Sequence, residues 1–180
     1  MTNPWLDIPE ADYVGHMSSP SVGQQPVLGR LLGDVLEAVR PAAVLLLGGS
    51  TGSGLEHIDP AVTARVVVID INPTYLGRLR ERFPNPPYEL DVRSGDVADV
   101  ELGREVYDLV HAGLILEYVQ WPPLLPRVAS ALRPGGVFSV IPPDAIRFES
   151  GGHPDAVHQP ASIGAAVSFR GTDGPRRRSA

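Results

Sequence analysis

The run Ala43-Val44-Leu45-Leu46-Leu47-Gly48-Gly49-Ser50-Thr51-Gly52-Ser53-Gly54 constrains this chain more than any other stretch. Its apolar part is continuous and too short for a helix of ordinary length, which predicts a strand buried on both faces of a parallel sheet. The glycines that follow permit a tight turn and let backbone approach a ligand where a Cβ would collide with it. A second apolar run, Val66-Val67-Val68-Ile69, ends in Asp70, 22 residues after Gly48. At about that spacing, a carboxylate at the tip of the next strand accepts hydrogen bonds from a ribose hydroxyl pair. Each motif alone has a plain alternative, a turn in one case and a helix cap in the other. Together, in this order, they point to a nucleotide-type site between two parallel strands.

The glycine loop limits which ligand that is. A phosphate-cradling P-loop needs a lysine after its glycines, and this chain has no lysine anywhere. The dinucleotide fingerprint needs glycine at i, i+2 and i+5, and no start among Gly48, Gly49 or Gly52 supplies it. A nicotinamide-dependent oxidoreductase therefore suits the fold and fails the spacing. A ligand without a pyrophosphate has less need of that geometry, and S-adenosylmethionine is such a ligand.

Five motifs then resemble those of the class I S-adenosylmethionine-dependent methyltransferases, of the type 11/12-like domain. Leu45 to Gly52 looks like the first, Val67-Val68-Ile69-Asp70-Ile71-Asn72-Pro73 the second, Arg93-Ser94-Gly95-Asp96-Val97 the third and Tyr107 to Ala112 the fourth. Leu132-Arg133-Pro134-Gly135-Gly136 is similar to the turn leading into the family's fifth strand. The resemblance covers about Val35 to Ile141, with every element in order.

That resemblance implies roles residue by residue. Gly48, Gly49, Ser50 and Gly52 would form the loop under the methionine part of the cofactor. Asp70, with Ile71 beside it, would hold the ribose hydroxyls, Asp96 would accept from the adenine amino group, Val97 would flank the ring, and His111 would shape the site. Two positions depart from the family pattern. Leu46 stands where an acid is usual, two residues before the first glycine, and Ser50 stands in place of the second glycine.

Methyl transfer requires an aligned nucleophile and, for some acceptors, a base. His111, Tyr13 and His16 are the catalytic candidates, because His has an unperturbed pKa near working pH and Tyr13 and His16 sit in a potential lid. Glu117 and Tyr118 are read either as further candidates or as the start of the next helix, and Asp108 as structural. Trp121 is expected in the core. His57 is read as a cap of the short helix after the glycine loop, and His153 and His158 have no partners at metal-ligand spacing, so no metal is expected.

Residues 1–23 read as an N-terminal lid segment, 24–141 as the methyltransferase-like domain and 142–180 as an irregular tail. Within the domain, Val27, Leu28, Leu31, Leu32, Val35, Leu36 and Val39 recur at helical spacing, and Asn72-Pro73 opens a second helix that Pro84 closes. Further strands are expected near Tyr88–Val92, Val106–His111 and Val137–Ile141, with a helix over Pro122–Leu132. The alternation predicts an α/β, Rossmann-like, doubly wound parallel sheet of about five strands with helices on both faces. Only Ile163–Phe169 offers a strand in the tail, so the family's C-terminal antiparallel strands are expected to be missing or incomplete, as in a truncated, frameshifted or diverged chain. The absence of cysteine and of any long apolar run suits a cytoplasmic protein, and a net charge of −6 argues against a nucleic-acid partner. The expectation is a methyltransferase acting on an O, N or C atom of a small molecule, away from membranes; the alternative is a catalytically inactive or truncated binding relative.

Overall fold

The apolar runs pair as five parallel strands in a computed structural model that describes residues 3–19 and 24–141. The strands are β1 (Ala43–Leu47), β2 (Arg65–Asp70), β3 (Glu89–Ser94), β4 (Tyr107–Gly113) and β5 (Leu132–Ile141), in the spatial order β3-β2-β1-β4-β5. The order reverses at β1, so the ends of β1 and β4 diverge and leave a crevice at the carboxyl edge of the sheet. Every residue of β1 is buried, as its unbroken apolar run requires of a strand covered on both faces.

Two apolar layers cover the sheet. On one face, Leu32 and Leu36 of α2 (Gln24–Val39) and Leu76 and Leu79 of α3 (Pro73–Arg82) pack against Val44, Leu46, Val66, Val68 and Leu109. On the other, Leu124, Val128 and Ala131 of α4 (Trp121–Ala131) pack against Leu45, Leu47, Val67 and Val110. The period-2 alternation along β1 and β2 sends neighbouring residues into opposite layers. The helix expected over Gln24–Val39 has those bounds, and Asn72 caps α3 by accepting from the Thr74 and Tyr75 backbone N–H groups.

Three strand expectations shift in extent. β3 starts at Glu89 and runs to Ser94, and β4 runs to Gly113, two residues beyond His111. β5 begins at Leu132, because the chain pairs with Tyr107 before bulging through Pro134–Gly136 and resuming opposite Leu109. Asp108 locks that edge: its Oδ2 accepts from the Ala43 N–H at 2.8 Å and its carboxylate pairs with Arg133 at 2.9 Å. Trp121 is not core as expected. It opens α4 and is 49% exposed, because the apolar stripe that faces the sheet begins at Leu124. The expected strand at Ile163–Phe169, His153, His158 and the 142–180 tail lie outside the described residues. No helix among the described residues is long and apolar enough to cross a membrane.

The glycine loop is fastened to β2, with Gly48 N–H donating to the Ile69 carbonyl at 2.8 Å. Gly49 lies against β2 so closely that a Cβ there would stand 2.1 Å from Val68 Cγ1. Gly49→Ala is therefore expected to lower stability by roughly 1–3 kcal/mol, the usual range for overpacking. A urea titration would measure it, and an unchanged midpoint would mean that β2 yields freely.

Candidate functional site

At the carboxyl edge of the sheet, the ends of β1, β2, β3 and β4 surround a cavity of about 300 Å³. Its floor includes Gly48 and Ser50 after β1, Asp70 and Ile71 at the end of β2, and Gly95, Asp96 and Val97 after β3. The segment from Gly113 to Val119 forms the wall beyond β4, and Trp5, Tyr13, Met17 and Gln24 approach from the N-terminal side. Six of the nine residues expected to touch a cofactor thus converge: Gly48, Ser50, Asp70, Ile71, Asp96 and Val97.

Asp70 is the hub of this edge. It is 8% exposed, and its two carboxylate oxygens accept from Ser50 N–H at 2.8 Å and Asn72 N–H at 2.9 Å. Burial raises its pKa above the ordinary carboxylate value, against the lowering effect of those backbone donors. A carboxylate offers about four acceptor positions, so two such bonds leave capacity for a further donor.

Ser50 takes the left-handed conformation at φ 47°, which costs a non-glycine residue on the order of 1–2 kcal/mol. Its Oγ is buried without a hydrogen bond of good geometry. The Tyr13 phenol lies beside it, and this contact partly offsets the rise in the Tyr13 pKa that burial causes. Beside the Tyr13 phenol, the Ser50 hydroxyl keeps capacity for a polar ligand atom. Gly48, at φ 70°, could not carry a Cβ without meeting Ile115 Cδ1 at 2.8 Å, so the loop and the β4 wall close on each other there.

The remaining candidates lie elsewhere. Gly52 turns away from the cavity, and a Cβ on it would meet Leu79, Leu55 and Phe83 of the core. Gly49 packs under the sheet. His16 sits on the exposed side of α1 (Glu10–Ser18) and is not part of the cavity wall. His111 is a correction: it does not sit at the strand end facing the cleft. It is 6% exposed in the middle of the sheet, its Nδ1 paired with Ser139 Oγ at 3.1 Å, because β4 runs two residues further than expected. Burial lowers its pKa to about 4, so it is neutral at working pH.

Several contributors to this edge are not among the expected site residues. Tyr75, in the first turn of α3, stacks on Tyr13 at 4.9 Å and donates to the Ile8 carbonyl at 3.2 Å. Asn72 Nδ2 donates to the Trp5 carbonyl at 2.8 Å, so one side chain caps α3 and anchors the N-terminal segment. Two arginines brace the loops from behind: Arg82 donates to the Thr51 carbonyl at 2.6 Å, and Arg127 to the carbonyls of Val97, Ala98 and Val100. The signal for Tyr75 and Asn72 is positional, since the first turn of a helix after a parallel strand lies at the binding edge.

The pKa of His111 has a measurable consequence. The unfolded chain binds a proton near pH 6.5 and the folded chain only near 4, so stability is present above 6.5 and lost as pH falls through that window. The loss is expected to reach about 3 kcal/mol, and His111→Gln should flatten the pH slope of the denaturation midpoint between those limits. Parallel slopes in the two proteins would contradict the burial of a neutral imidazole.

A family model described as "Methyltransferase domain" matches residues 44–136, a span that includes β1 from Val44 onward, the glycine loop, Asp70, Asp96 and the start of β5 through its bulge. Among curated proteins, a trans-aconitate 2-methyltransferase from Variovorax paradoxus is 35% identical over 108 residues, covering 57% of this chain and 39% of that protein. A ribosomal protein L11 methyltransferase from Symbiobacterium thermophilum is also 35% identical, over 107 residues that cover 57% of this chain and 33% of that protein. The chain thus spans well under half the length of these relatives. Among solved structures, the N-methyltransferase NodS from Bradyrhizobium japonicum, in complex with S-adenosyl-L-homocysteine, superposes with a TM-score of 0.64. It is 20% identical, and the match covers 77% of this chain and 71% of that one, which is a likeness of fold.

Proposed function

Because the chain belongs to the class I S-adenosylmethionine-dependent methyltransferases, we propose that it transfers a methyl group from that cofactor to an O, N or C atom of a small molecule. The observation that carries the reading is the convergence of Gly48, Ser50, Asp70, Ile71, Asp96 and Val97 on one cavity at the carboxyl edge of the sheet. When bound, S-adenosylmethionine supplies a methyl group on a cationic sulfur, which makes the methyl carbon electrophilic.

The chain's own part is to bind, orient and exclude water. Asp70 accepts from the ribose hydroxyls while keeping the two backbone donors it already holds. Asp96 accepts from the adenine amino group, and buried Val97, 3% exposed, gives the ring an apolar surface. Gly48 and Ser50 would hold the methionine portion, with the Ser50 hydroxyl beside the Tyr13 phenol offering it a polar partner. Residues 1–23 act as a lid, with Trp5 and Tyr13 over the cavity and Asn72 as their anchor. Residues 24–141 form the binding domain. His111 takes no part in proton transfer in this reading, since its imidazole is buried, neutral and not among the residues that line the cavity. The protein would work in the cytoplasm, a reading supported by the absence of cysteine.

The acceptor is not fixed by family membership. Relatives equally similar to this chain are named for trans-aconitate and for ribosomal protein L11, two unlike acceptors. One observation favours the alternative of an inactive relative: Leu46, 4% exposed, is apolar core where an acid is usual, so the cofactor's ammonium group finds no carboxylate there.

Calorimetric titration with S-adenosylmethionine and S-adenosylhomocysteine tests the reading. Saturable micromolar binding is expected, and Asp70→Asn should weaken it by roughly tenfold to a hundredfold, the worth of hydrogen bonds to a charged acceptor. No binding by a folded wild-type chain would overturn the proposal, and tight binding with no turnover on any acceptor would favour the inactive relative.

A further inference from the structure

The cavity has a second half that the cofactor reading does not use. Of the residues assigned to adenosine, Asp70 and Val97 are deep in the site, 8% and 3% exposed, and Asp96 is half-buried. At the mouth stand Trp5, Tyr118 and Glu117, and Tyr118 is 52% exposed. The Trp5 and Tyr118 rings meet edge to face with centroids 4.7 Å apart, and Trp5 meets Tyr13 the same way at 6.0 Å. Two elements distant in sequence thus bring aromatic surface to one rim.

Aromatic surface on a half-open rim offers an apolar body and a negative π face to whatever enters. Glu117 adds a carboxylate beside the Tyr118 phenol, whose pKa is pushed up to about 12 by partial burial first and by Glu117 next. The charged side chains among the described residues of the cavity wall are Asp70, Asp96 and Glu117, all acidic. Asp70 and Asp96 are committed to the cofactor in the proposed function. Glu117 is the carboxylate left over, exposed at the rim, where it accepts from the Tyr118 phenol and keeps acceptor capacity for a further donor.

We infer that the Trp5–Tyr118–Glu117 rim is a recognition subsite for an amine-bearing small molecule with an apolar or aromatic body. The body lies against the rings and the ammonium group rests between the Glu117 carboxylate and the π face. An anionic acceptor would meet three carboxylates in one cavity, and like charges in a confined site work against binding. Acceptor choice in this chain therefore separates from that of the trans-aconitate enzyme, to which it is similar in sequence. This inference rests on the proposed function for the identity of the deeper half, while the rim's preference for charge is a property of its own residues.

Three probes that share a phenylethyl body test it: phenethylamine, 2-phenylethanol and 3-phenylpropanoate, titrated calorimetrically into the full chain with and without saturating S-adenosylhomocysteine. The amine is expected to bind about tenfold more tightly than the alcohol, and the propanoate most weakly. Glu117→Gln should reduce the amine to the affinity of the alcohol and leave S-adenosylhomocysteine affinity unchanged, with a thermal melt to confirm folding. Equal or tighter binding of the propanoate would overturn the inference. So would no binding of any probe, an amine preference that survives Glu117→Gln, or a variant that loses S-adenosylhomocysteine instead, which would assign Glu117 to the cofactor's ammonium group. A folded chain that takes no S-adenosylhomocysteine yet prefers the amine would overturn the proposed function and support this subsite.

Discussion

The carboxylate of Asp70 holds the working edge of this protein together. It accepts from the Ser50 N–H of the glycine loop and from the Asn72 N–H that precedes α3. Asn72 in turn caps α3 and, through its amide, holds the Trp5 carbonyl of the N-terminal segment. Loop, strand end, helix start and N-terminal segment are thereby joined through one buried acid and its neighbour. Burial makes that arrangement demanding, because each bond lost leaves a polar group away from water.

The strain at Ser50 belongs to the same network. A left-handed serine persists only where its surroundings hold it. Here the Asp70 carboxylate holds its N–H, while Arg82 holds the next residue's carbonyl from the other side. The loop after β3 is braced by the same means, with Arg127 donating to carbonyls of the segment Val97–Val100. In a chain that uses arginine to the exclusion of lysine, the planar multi-donor guanidinium suits this role, since one group can satisfy several carbonyls at once.

Two layers of specificity follow from the architecture. The parallel sheet is a likeness of fold to a solved methyltransferase structure, and in this chain its carboxyl edge builds the deep half of the cavity. The rim is made from the N-terminal segment and the loop after β4, parts free to differ between relatives without disturbing the sheet. A methyltransferase fold can thus serve trans-aconitate in one relative and a ribosomal protein in another, and present an acidic, aromatic rim here.

The sequence by itself determined the sheet, the helices α2, α3 and α4, and the acids Asp70 and Asp96 that line the cavity, because these depend on local periodicity and on spacing along one chain. The unbroken run Ala43–Leu47 could be buried only as a central strand, and Asn72-Pro73 could start a helix from its own chemistry. Tertiary structure decided what depends on extent and on distant neighbours. His111 looked like a strand-end residue, but pairing with Leu46 and Ser139 carried β4 past it and buried the ring. Trp121 looked like core, but its phase on α4 leaves it exposed. The meeting of Trp5 with Tyr118 spans more than a hundred residues and has no periodic signature. It arises because the Asn72 amide fixes the Trp5 backbone at the sheet's edge, beside the loop that β4 delivers there.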